Sequence, residues 1–301
     1  MNDDSRNAQI FQGRLTYAKN SVRPTLRAAA LEALSLYAST TGRHEELLST
    51  PRVHFLYTHS VPGNEEAQFR ALLTELARKH TFLPYSDAVD RIRTGNVDRP
   101  YVSFSFDDAF HSNLRTARIL KEFGTTGCFF VPTAFVGIST QADAESYFRT
   151  SQHVEDIAMS WANLESLVDS GHEIGSHTIS HPNCSTLSRP QLDHEFGESR
   201  SELETKLGVP VEHLAWPYGR FFHFSNHARE AASQAGYKSI ASAERGSHLH
   251  GVEHNSQPLC IRRDQFMTKW PQRHTMHFVA TSARSPLNGG TSWPKRLRPE
   301  A

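Results

Sequence analysis

The chain has 301 residues, with 32 Lys plus Arg against 32 Asp plus Glu, so its formal net charge is zero. A neutral chain does not have the basic surface that nucleic-acid binding requires, and this length suits one α/β barrel or two small domains. Three cysteines without a Cys-x-x-Cys spacing do not make a disulfide scaffold and are typical of a reducing compartment. The acidic start lacks the basic region of a secretory signal, and no apolar run reaches the length of a membrane span. We therefore expect a cytoplasmic protein.

The two ends of the chain differ in composition from its centre. Residues 1–50 are predicted to be an extension with a polar leader and a helix over 25–39 that carries one apolar stripe. The polar face of that helix is not rich in Lys or Arg, which favours packing on the next domain over binding to a membrane surface. Residues 281–301 contain Pro, Gly, Ser, Lys and Arg and are expected to be disordered. The main predicted domain spans residues 51–280.

Strand and helix patterns alternate along this domain. Predicted strands cover residues 53–61, 101–106, 127–131, 211–216, 237–241 and 259–261. Predicted helices cover residues 65–79, 86–93, 114–123, 161–170, 190–207 and 224–235. Residues 137–160 show little periodicity and are expected to form a loop over the carboxyl ends of the strands. The alternation predicts a parallel sheet, and from the pattern alone an open doubly wound sheet and a barrel are equally acceptable.

Two adjacent carboxylates, Asp107 and Asp108, end the predicted strand over 101–106. The carboxyl end of a strand is where α/β folds carry their chemistry. Because adjacent strand residues point to opposite sides, both acids face one site only if the chain turns there. The alternative is a helix N-cap, where Asp is favoured, and this stretch alone favours the N-cap slightly.

Two histidines, His177 and His181, lie four residues apart in Gly-His-Glu-Ile-Gly-Ser-His-Thr-Ile-Ser-His-Pro. One helical turn would bring both onto one face. Two imidazoles and one carboxylate, from Asp107 or Asp108, make a divalent metal site with a position open for water. Because the chain has eighteen histidines, the same spacing also arises by chance. Nearby Cys184 is interpreted as a small buried apolar residue, not as a ligand.

Three stretches in this order resemble the first three motifs of the polysaccharide deacetylases of the NodB-homology, carbohydrate esterase family 4-like type. They are Phe106-Asp107-Asp108, His177-Thr178-Ile179-Ser180-His181 and Ala215-Trp216-Pro217-Tyr218-Gly219. The resemblance covers roughly residues 52–270 and implies a distorted (β/α) barrel of about seven parallel strands. The chain departs from the family at Ala109, where Gly is usual, and at Ala215, where Arg is frequent. The second departure resembles the exopolysaccharide branch.

The resemblance implies a metal-dependent hydrolase that removes N-acetyl groups from an amino-sugar-containing glycan or glycan precursor. It assigns the metal, most often Zn²⁺, to Asp108, His177 and His181, although other divalent ions are compatible with such ligands. It assigns the general base to Asp107 and an oxyanion-stabilising backbone N–H to Tyr218. The implied partner is an N-acetylated carbohydrate substrate, with no nucleic acid and no integral membrane segment.

The amine that leaves after hydrolysis needs a proton donor. Tyr57-Thr58-His59-Ser60-Val61 resembles the start of the exopolysaccharide branch, in which a histidine of this early strand takes the place of a late one. His59 is therefore the preferred candidate, since His274 and His277 lie late but without the surrounding family motif. A strand-end histidine that bonds only to backbone is an equally acceptable interpretation of His59.

The last predicted strand is followed by Arg262-Arg263-Asp264. An arginine there can orient Asp107 and shift its pKa, although a surface ion pair suits at least one of the two arginines. Three tryptophans, Trp161, Trp216 and Trp270, are candidates for stacking on the faces of sugar rings. A position in the hydrophobic core is the better interpretation for Trp161.

Two other functions remain open from the sequence. The first is hydrolysis of a small non-sugar amide by the same fold. The second is a carbohydrate-binding relic of the family without turnover, which the departure at Ala109 keeps open. Retention of the ligand types and of the base favours an active deacetylase over both.

Overall fold

The computed structural model describes residues 32–33, 43–148, 156–250, 258–284, 287–288, 293–294 and 297. Apart from residues 32–33, the predicted helix over 25–39 lies outside this part of the chain, and so does most of the predicted disordered tail. Within these ranges no helix combines the length and the hydropathy that a membrane crossing needs.

The secondary structure follows the alternation that the sequence predicts. The strands are β1 Arg52–Thr58, β2 Thr81–Phe82, β3 Pro100–Phe106, β4 Gly127–Val131, β5 Glu173–Ser176, β6 His213–Ala215, β7 Ser239–Ala241, β8 Ser247–His250, β9 Leu259–Ile261, β10 Arg263–Gln265 and β11 Leu287–Asn288. The helices are α1 Arg43–Leu48, α2 Glu66–Ala77, α3 Tyr85–Thr94, α4 Asn113–Glu122, α5 Gln141–Tyr147, α6 Trp161–Asp169, α7 Arg189–Leu207, α8 Asn226–Gln234 and α9 Gln272–Ser282.

The strands form a ring of parallel pairs. The order runs β1-β3-β4-β5-β6-β7-β9, and β10, separated from β9 by Arg262 alone, pairs in parallel with β1. Strands β5 and β6 share the shortest stretch of pairing in the ring, since Ser176 and Leu214 are the one pair of residues in register between them. The prediction of a distorted (β/α) barrel is confirmed, and the open doubly wound alternative is wrong because the pairing returns to its first strand.

Apolar side chains divide between the two faces of the ring. An inner cluster draws residues from strands all round the barrel and from α3, whose Tyr85 packs against Phe55 and Phe130 and closes the end where the strands begin. An outer cluster joins the other strand face to the surrounding helices, as Phe104 and Phe106 illustrate. The alternation of β3 thus places small Ser and Asp side chains inside the barrel.

Helix α7 shows how local sequence fixes an element that the site depends on. Ser188 and Gln191 form a capping box at its start, with Pro190 in the first turn, and Gly208 ends it with φ 67°. These are the residues that stabilise unpaired N–H groups at the start of a helix and a left-handed residue at its end.

Several segments differ from the sequence prediction. The expected loop over 137–160 contains helix α5, which Thr140 caps by accepting a hydrogen bond from the Asp143 N–H. The sequence also did not predict helices α1 and α9 or the short strands β2, β5, β8, β10 and β11. Short segments of three or four residues carry too little periodicity to be recognised without their pairing partners.

Candidate active site

The Asp-Asp pair lies in a strained turn at the carboxyl end of β3. Asp108 and Ala109 have φ of 72° and 51°, the left-handed region that side chains other than Gly rarely adopt. Both carboxylates are buried, with Asp107 4% and Asp108 1% exposed. The N-cap of α4 is Ser112, so the N-cap interpretation of the two acids is wrong. The chain turns at this point, as the convergence of both acids requires.

The two histidines also converge through a turn, and the predicted helical turn between them is wrong. Thr178 and His181 have φ of 69° and 56°, which no right-handed helix contains. The imidazole rings of His177 and His181 nevertheless lie with centroids 4.9 Å apart and planes at 75°. The spacing of four residues therefore gives proximity by a different backbone route.

Asp108, His177 and His181 form the one group of potential metal ligands found among the described residues, with one ligand atom from each within 4.8 Å of the others. Nε2 of each histidine lies 3.5 Å from Oδ1 of Asp108. This is long for a hydrogen bond and close to the edge of roughly 3.3 Å expected of a tetrahedral ion with bonds near 2 Å. Oδ1 of Asp108 is buried and has no hydrogen-bond partner in the described part of the chain. The residues therefore fit a small divalent ion.

The tautomer of His177 suits ligation. Its Nδ1–H donates to the backbone carbonyl of Ala215 over 2.7 Å, since a carbonyl can only accept. The lone pair of Nε2 is then directed at Asp108. A backbone group of Ala215, one of the two residues that depart from the family pattern, thus orients a ligand of the site. Such partners of a metal-ligating histidine fix its ring and its basicity.

Asp107 is held by an arginine from the strand that closes the barrel. Nη1 and Nη2 of Arg263 donate to Oδ1 and Oδ2 of Asp107 over 2.8 and 2.9 Å, and Nη1 also reaches Oγ of Ser105 at 3.0 Å. The guanidinium is fully buried between the rings of Tyr57 and Phe130, with centroids 4.4 and 5.2 Å away. The expectation that an arginine of this stretch orients Asp107 is confirmed.

The electrostatics keep both carboxylates ionised. Burial raises the pKa of Asp107, but the positive charge of Arg263 outweighs it and holds the pKa below its ordinary value. Burial likewise raises the pKa of Asp108. The neighbouring histidines, of which His177 has the largest effect, together lower it by more, so that the pKa lies below its ordinary value. Two acids that stay charged side by side need positive charge nearby, which Arg263 of β10 supplies to Asp107 and a cation between Asp108 and the two histidines would supply to Asp108.

The other predicted residues surround this centre unequally. His59 lies at the opening, 21% exposed, with Nε2 3.9 Å from Oδ2 of Asp108. Tyr218 has φ of 64° and its ring centroid lies 5.3 Å from that of His181. His274, the late alternative to His59, is in α9 and bonds Oε2 of Glu32 over 2.8 Å.

Burial decides the candidates outside the centre. Trp216 is 1% exposed, so its role as a sugar platform is wrong, because the ring packs on Phe224 inside the outer cluster. Cys184 is fully buried, which confirms its apolar interpretation. Trp161 packs partly buried against the outer core cluster, as expected.

Sequence reasoning missed two features of the site. Phe148, at the end of α5, contacts the His181 ring edge-on at 5.4 Å, and Phe110 packs against Phe148. Glu195 of α7 bonds the turn between the two histidines. A signal existed for Glu195, since it occupies a buried position on the apolar face of a predicted helix. None existed for Phe148, whose partner His181 lies 33 residues further along the chain.

Comparisons with known proteins agree with this geometry. Residues 94–240 match the family profile described as polysaccharide deacetylase. Among curated proteins, the uncharacterized protein YlxY of Bacillus subtilis (strain 168) is 24% identical over 132 residues, 43% of this chain and 35% of that protein. A gellan lyase of Bacillus sp is 44% identical over 54 residues, 18% of this chain and 2% of that protein. The chain therefore spans about a third or less of these curated relatives.

Solved structures share the fold at low sequence identity. The Streptococcus pyogenes deacetylase PplD, in complex with acetate, has a TM-score of 0.57 at 16% identity, covering 76% of this chain and 99% of that one. IcaB from Ammonifex degensii has a TM-score of 0.59 at 17% identity, covering 78% and 98%. A de-N-acetylase from Aggregatibacter actinomycetemcomitans has a TM-score of 0.59 at 16% identity, covering 75% and 99%.

Proposed function

We propose that this chain, a member of the polysaccharide deacetylase family, is a metal-dependent hydrolase that removes N-acetyl groups from an amino-sugar-containing glycan or glycan precursor. One observation carries the metal dependence. Three ligand atoms, from Asp108, His177 and His181, converge at the carboxyl end of the barrel, and Oδ1 of Asp108 is buried without a hydrogen-bond partner among the described residues. A buried charged oxygen in that state is costly unless a cation compensates it.

The chain's own residues then divide the work of hydrolysis. Zn²⁺, the ion that suits this donor set best, supplies a Lewis acid and an acidified water when bound. Asp107 accepts the proton of the attacking water, and Arg263 keeps its carboxylate ionised and fixed in orientation. The backbone N–H of Tyr218 donates to the oxygen on which negative charge develops. Donors fixed in advance are worth more in a buried site than in water.

The leaving amine takes its proton from His59. This histidine is the one predicted proton donor that the structure brings to within 4 Å of a site carboxylate, with its Nε2 3.9 Å from Oδ2 of Asp108. We expect His59→Ala to keep the metal and to lose turnover by roughly 10²- to 10⁴-fold, the usual size of a general-acid contribution. Metal content and turnover are measured on the same preparation, and near-normal turnover would remove His59 from the mechanism.

Acetate release tests the proposed function as a whole. Purified protein is incubated with N-acetylglucosamine oligomers and, separately, with small non-sugar N-acetyl amides, with and without a chelator. We expect release from the oligomers, its loss with chelator, and its return on adding Zn²⁺. Preferential release from the small amides would favour the alternative hydrolase. Metal binding and oligomer binding without any release would favour a carbohydrate-binding relic.

The cytoplasmic location stays a prediction. The three cysteines are buried free thiols, which supports a reducing compartment. Cell fractionation with antibodies against the chain tests it.

A further inference from the structure

Helix α7 carries a buried carboxylate on the face that packs against the barrel. Its buried positions are Leu192, Glu195, Phe196, Ser199 and Leu203, a spacing of three and four residues that marks the side of the helix turned to the core. Glu195 is 8% exposed. A glutamate is almost never buried in such a face unless it is paired, because removing its charge from water is costly.

The partners of Glu195 all belong to the short turn between the two predicted histidine ligands. Its Oε2 accepts the backbone N–H groups of Ile179 and Ser180 over 2.8 and 3.0 Å, and its Oε1 accepts the Ser180 hydroxyl over 2.6 Å. One helical turn later, Ser199 Oγ bonds Oγ of Ser176, just before the first histidine, over 2.7 Å. Two successive turns of helix α7 therefore hydrogen-bond to the segment that carries the two histidines.

That turn needs an external restraint. Thr178 and His181 are both left-handed without being glycine, and each such residue costs of order 1–3 kcal/mol unless its surroundings enforce it. Within the turn, the Thr178 hydroxyl accepts the His181 N–H over 3.1 Å. On the other side, the N–H groups of Thr133 and Ala134 bond the carbonyls of Thr178 and Ile179 over 3.1 Å each. Glu195 provides the remaining acceptors, since its two oxygens accept three hydrogen bonds from residues 179 and 180.

We propose that Glu195 is a positioning residue of the metal centre: its carboxylate holds residues 178–180 in the left-handed turn that makes His177 and His181 converge on Asp108. The inference rests on the proposed function in one respect, that these three residues bind a divalent ion. Glu195 itself does not touch the ion or the substrate. Its effect is on the entropy and geometry of the ligands, and so on metal affinity.

Two substitutions separate hydrogen bonding from charge. Glu195→Gln can keep the network, since the amide oxygen accepts both backbone N–H groups and the amide NH₂ donates to the Ser180 hydroxyl. Glu195→Ala removes the acceptor of the two part-buried N–H groups of residues 179 and 180. Glu198→Ala, on the exposed side of the same helix, is the matched control. Ser180→Ala removes a single hydrogen bond and serves as a milder variant if Glu195→Ala does not fold.

The measured quantity is the dissociation constant for Zn²⁺, by competition with a chromophoric chelator, together with the visible spectrum of the Co²⁺-loaded protein. We expect Glu195→Ala to weaken binding by roughly 10- to 100-fold, the size typical of outer-shell losses. Glu195→Gln should stay within a few-fold of the parent with an unchanged Co²⁺ spectrum, and Glu198→Ala should match the parent. If Glu195→Ala does not fold, Ser180→Ala should still weaken binding measurably.

Two results would overturn the inference, and both differ from a failure of the proposed function. Unchanged Zn²⁺ affinity in folded Glu195→Ala, or in Ser180→Ala when that variant has to replace it, would show that the turn holds itself. Equal losses in Glu195→Ala and Glu195→Gln would show that charge acts, not hydrogen bonding. A parent protein that binds no divalent ion would instead contradict the metal-dependent function.

Discussion

Both ends of the barrel bury histidine side chains, but the hydrogen bonding of these side chains differs between the two ends. At the end where the strands begin, His213 has each ring nitrogen 2.9 Å from a hydroxyl oxygen, Nε2 from Ser86 and Nδ1 from Ser239. At the carboxyl end, two histidines direct Nε2 at Asp108 from 3.5 Å, and the Oδ1 they face has no hydrogen-bond partner among the described residues. The first arrangement is complete with protein atoms alone, and the second has a geometry that a cation completes.

Backbone conformation divides the two ends in the same way. The five non-glycine residues with positive φ in the described part of the chain all belong to the three motifs of the carboxyl end. They are Asp108, Ala109, Thr178, His181 and Tyr218. At the opposite end, left-handed positions that close a helix are glycines, such as Gly95, Gly208 and Gly236. Strain is thus concentrated where the site lies, and the other end is built for stability.

The largest expected effect is on metal content. Purified parent protein should contain about one divalent ion per chain, and His177→Ala or His181→Ala should lose it, because each removes one of three ligands. His213→Gln, a change to a histidine of the opposite end, should retain the ion. Elemental analysis after dialysis measures the metal content of each variant. A double variant of His177 and His181 that still contains one ion per chain would contradict the ligand assignment.

The next effect separates the two acids. Asp107→Asn should keep the ion and lower turnover by roughly 10²- to 10⁴-fold with little change in substrate binding, because the general base is gone. Asp108→Asn should lower metal affinity, since a neutral amide is a poor substitute for a carboxylate on a divalent ion. Metal content and turnover are compared in both variants. Metal loss in Asp107→Asn with retention in Asp108→Asn would exchange the two roles.

A smaller effect is expected on the pH dependence of stability, and it belongs to the opposite end. Burial, followed by the charges of Lys238 and Arg93, lowers the pKa of His213 to about 3. A folded-state pKa below the unfolded value of about 6.5 means that unfolding takes up a proton. The stability that neutral His213 contributes is therefore present above pH 6.5 and is lost as pH falls toward 3, at roughly 1.4 kcal/mol per unit.

Urea unfolding between pH 7 and 4.5 measures this loss. His213→Gln should flatten the dependence of the unfolding free energy on pH by about that slope. His194→Gln, which replaces an exposed histidine of α7, is the matched control for the substitution itself. Equal slopes in His213→Gln and the parent would mean that His213 is not buried neutral.

The smallest effect is expected at Ala109. Its φ of 51° is costly for alanine and free for glycine, so Ala109→Gly relieves strain while it adds unfolded-chain entropy. We expect stability within about 1 kcal/mol of the parent and turnover equal or higher. A large loss of activity in a folded Ala109→Gly variant, judged by circular dichroism and acetate release, would show that this turn needs the alanine side chain.

Much of the fold could be predicted because long periodic segments carry their own signal. The helix predicted over 190–207 matches α7, whose ends are marked by Pro190 and Gly208, and the strand over 127–131 matches β4, which is a continuous apolar run. Helix α5 was predicted as loop because its seven residues show little apolar periodicity, and Ala144 alone among them is buried. Strands β8 and β10 are recognisable only through β1, with which both pair.

The sequence by itself determined which residue types could meet: an Asp-Asp pair after one strand, two histidines four apart, and an arginine after the last strand. Only the tertiary structure decided how they meet. Ring closure brings Arg263 onto Asp107, 156 residues away, and the left-handed turn replaces the expected helical one between the histidines. The physical reason is that spacing along the sequence limits how far apart two residues can lie, but it does not set the direction of their side chains. That direction depends on backbone φ and ψ values, which partners elsewhere in the chain, such as Glu195, enforce.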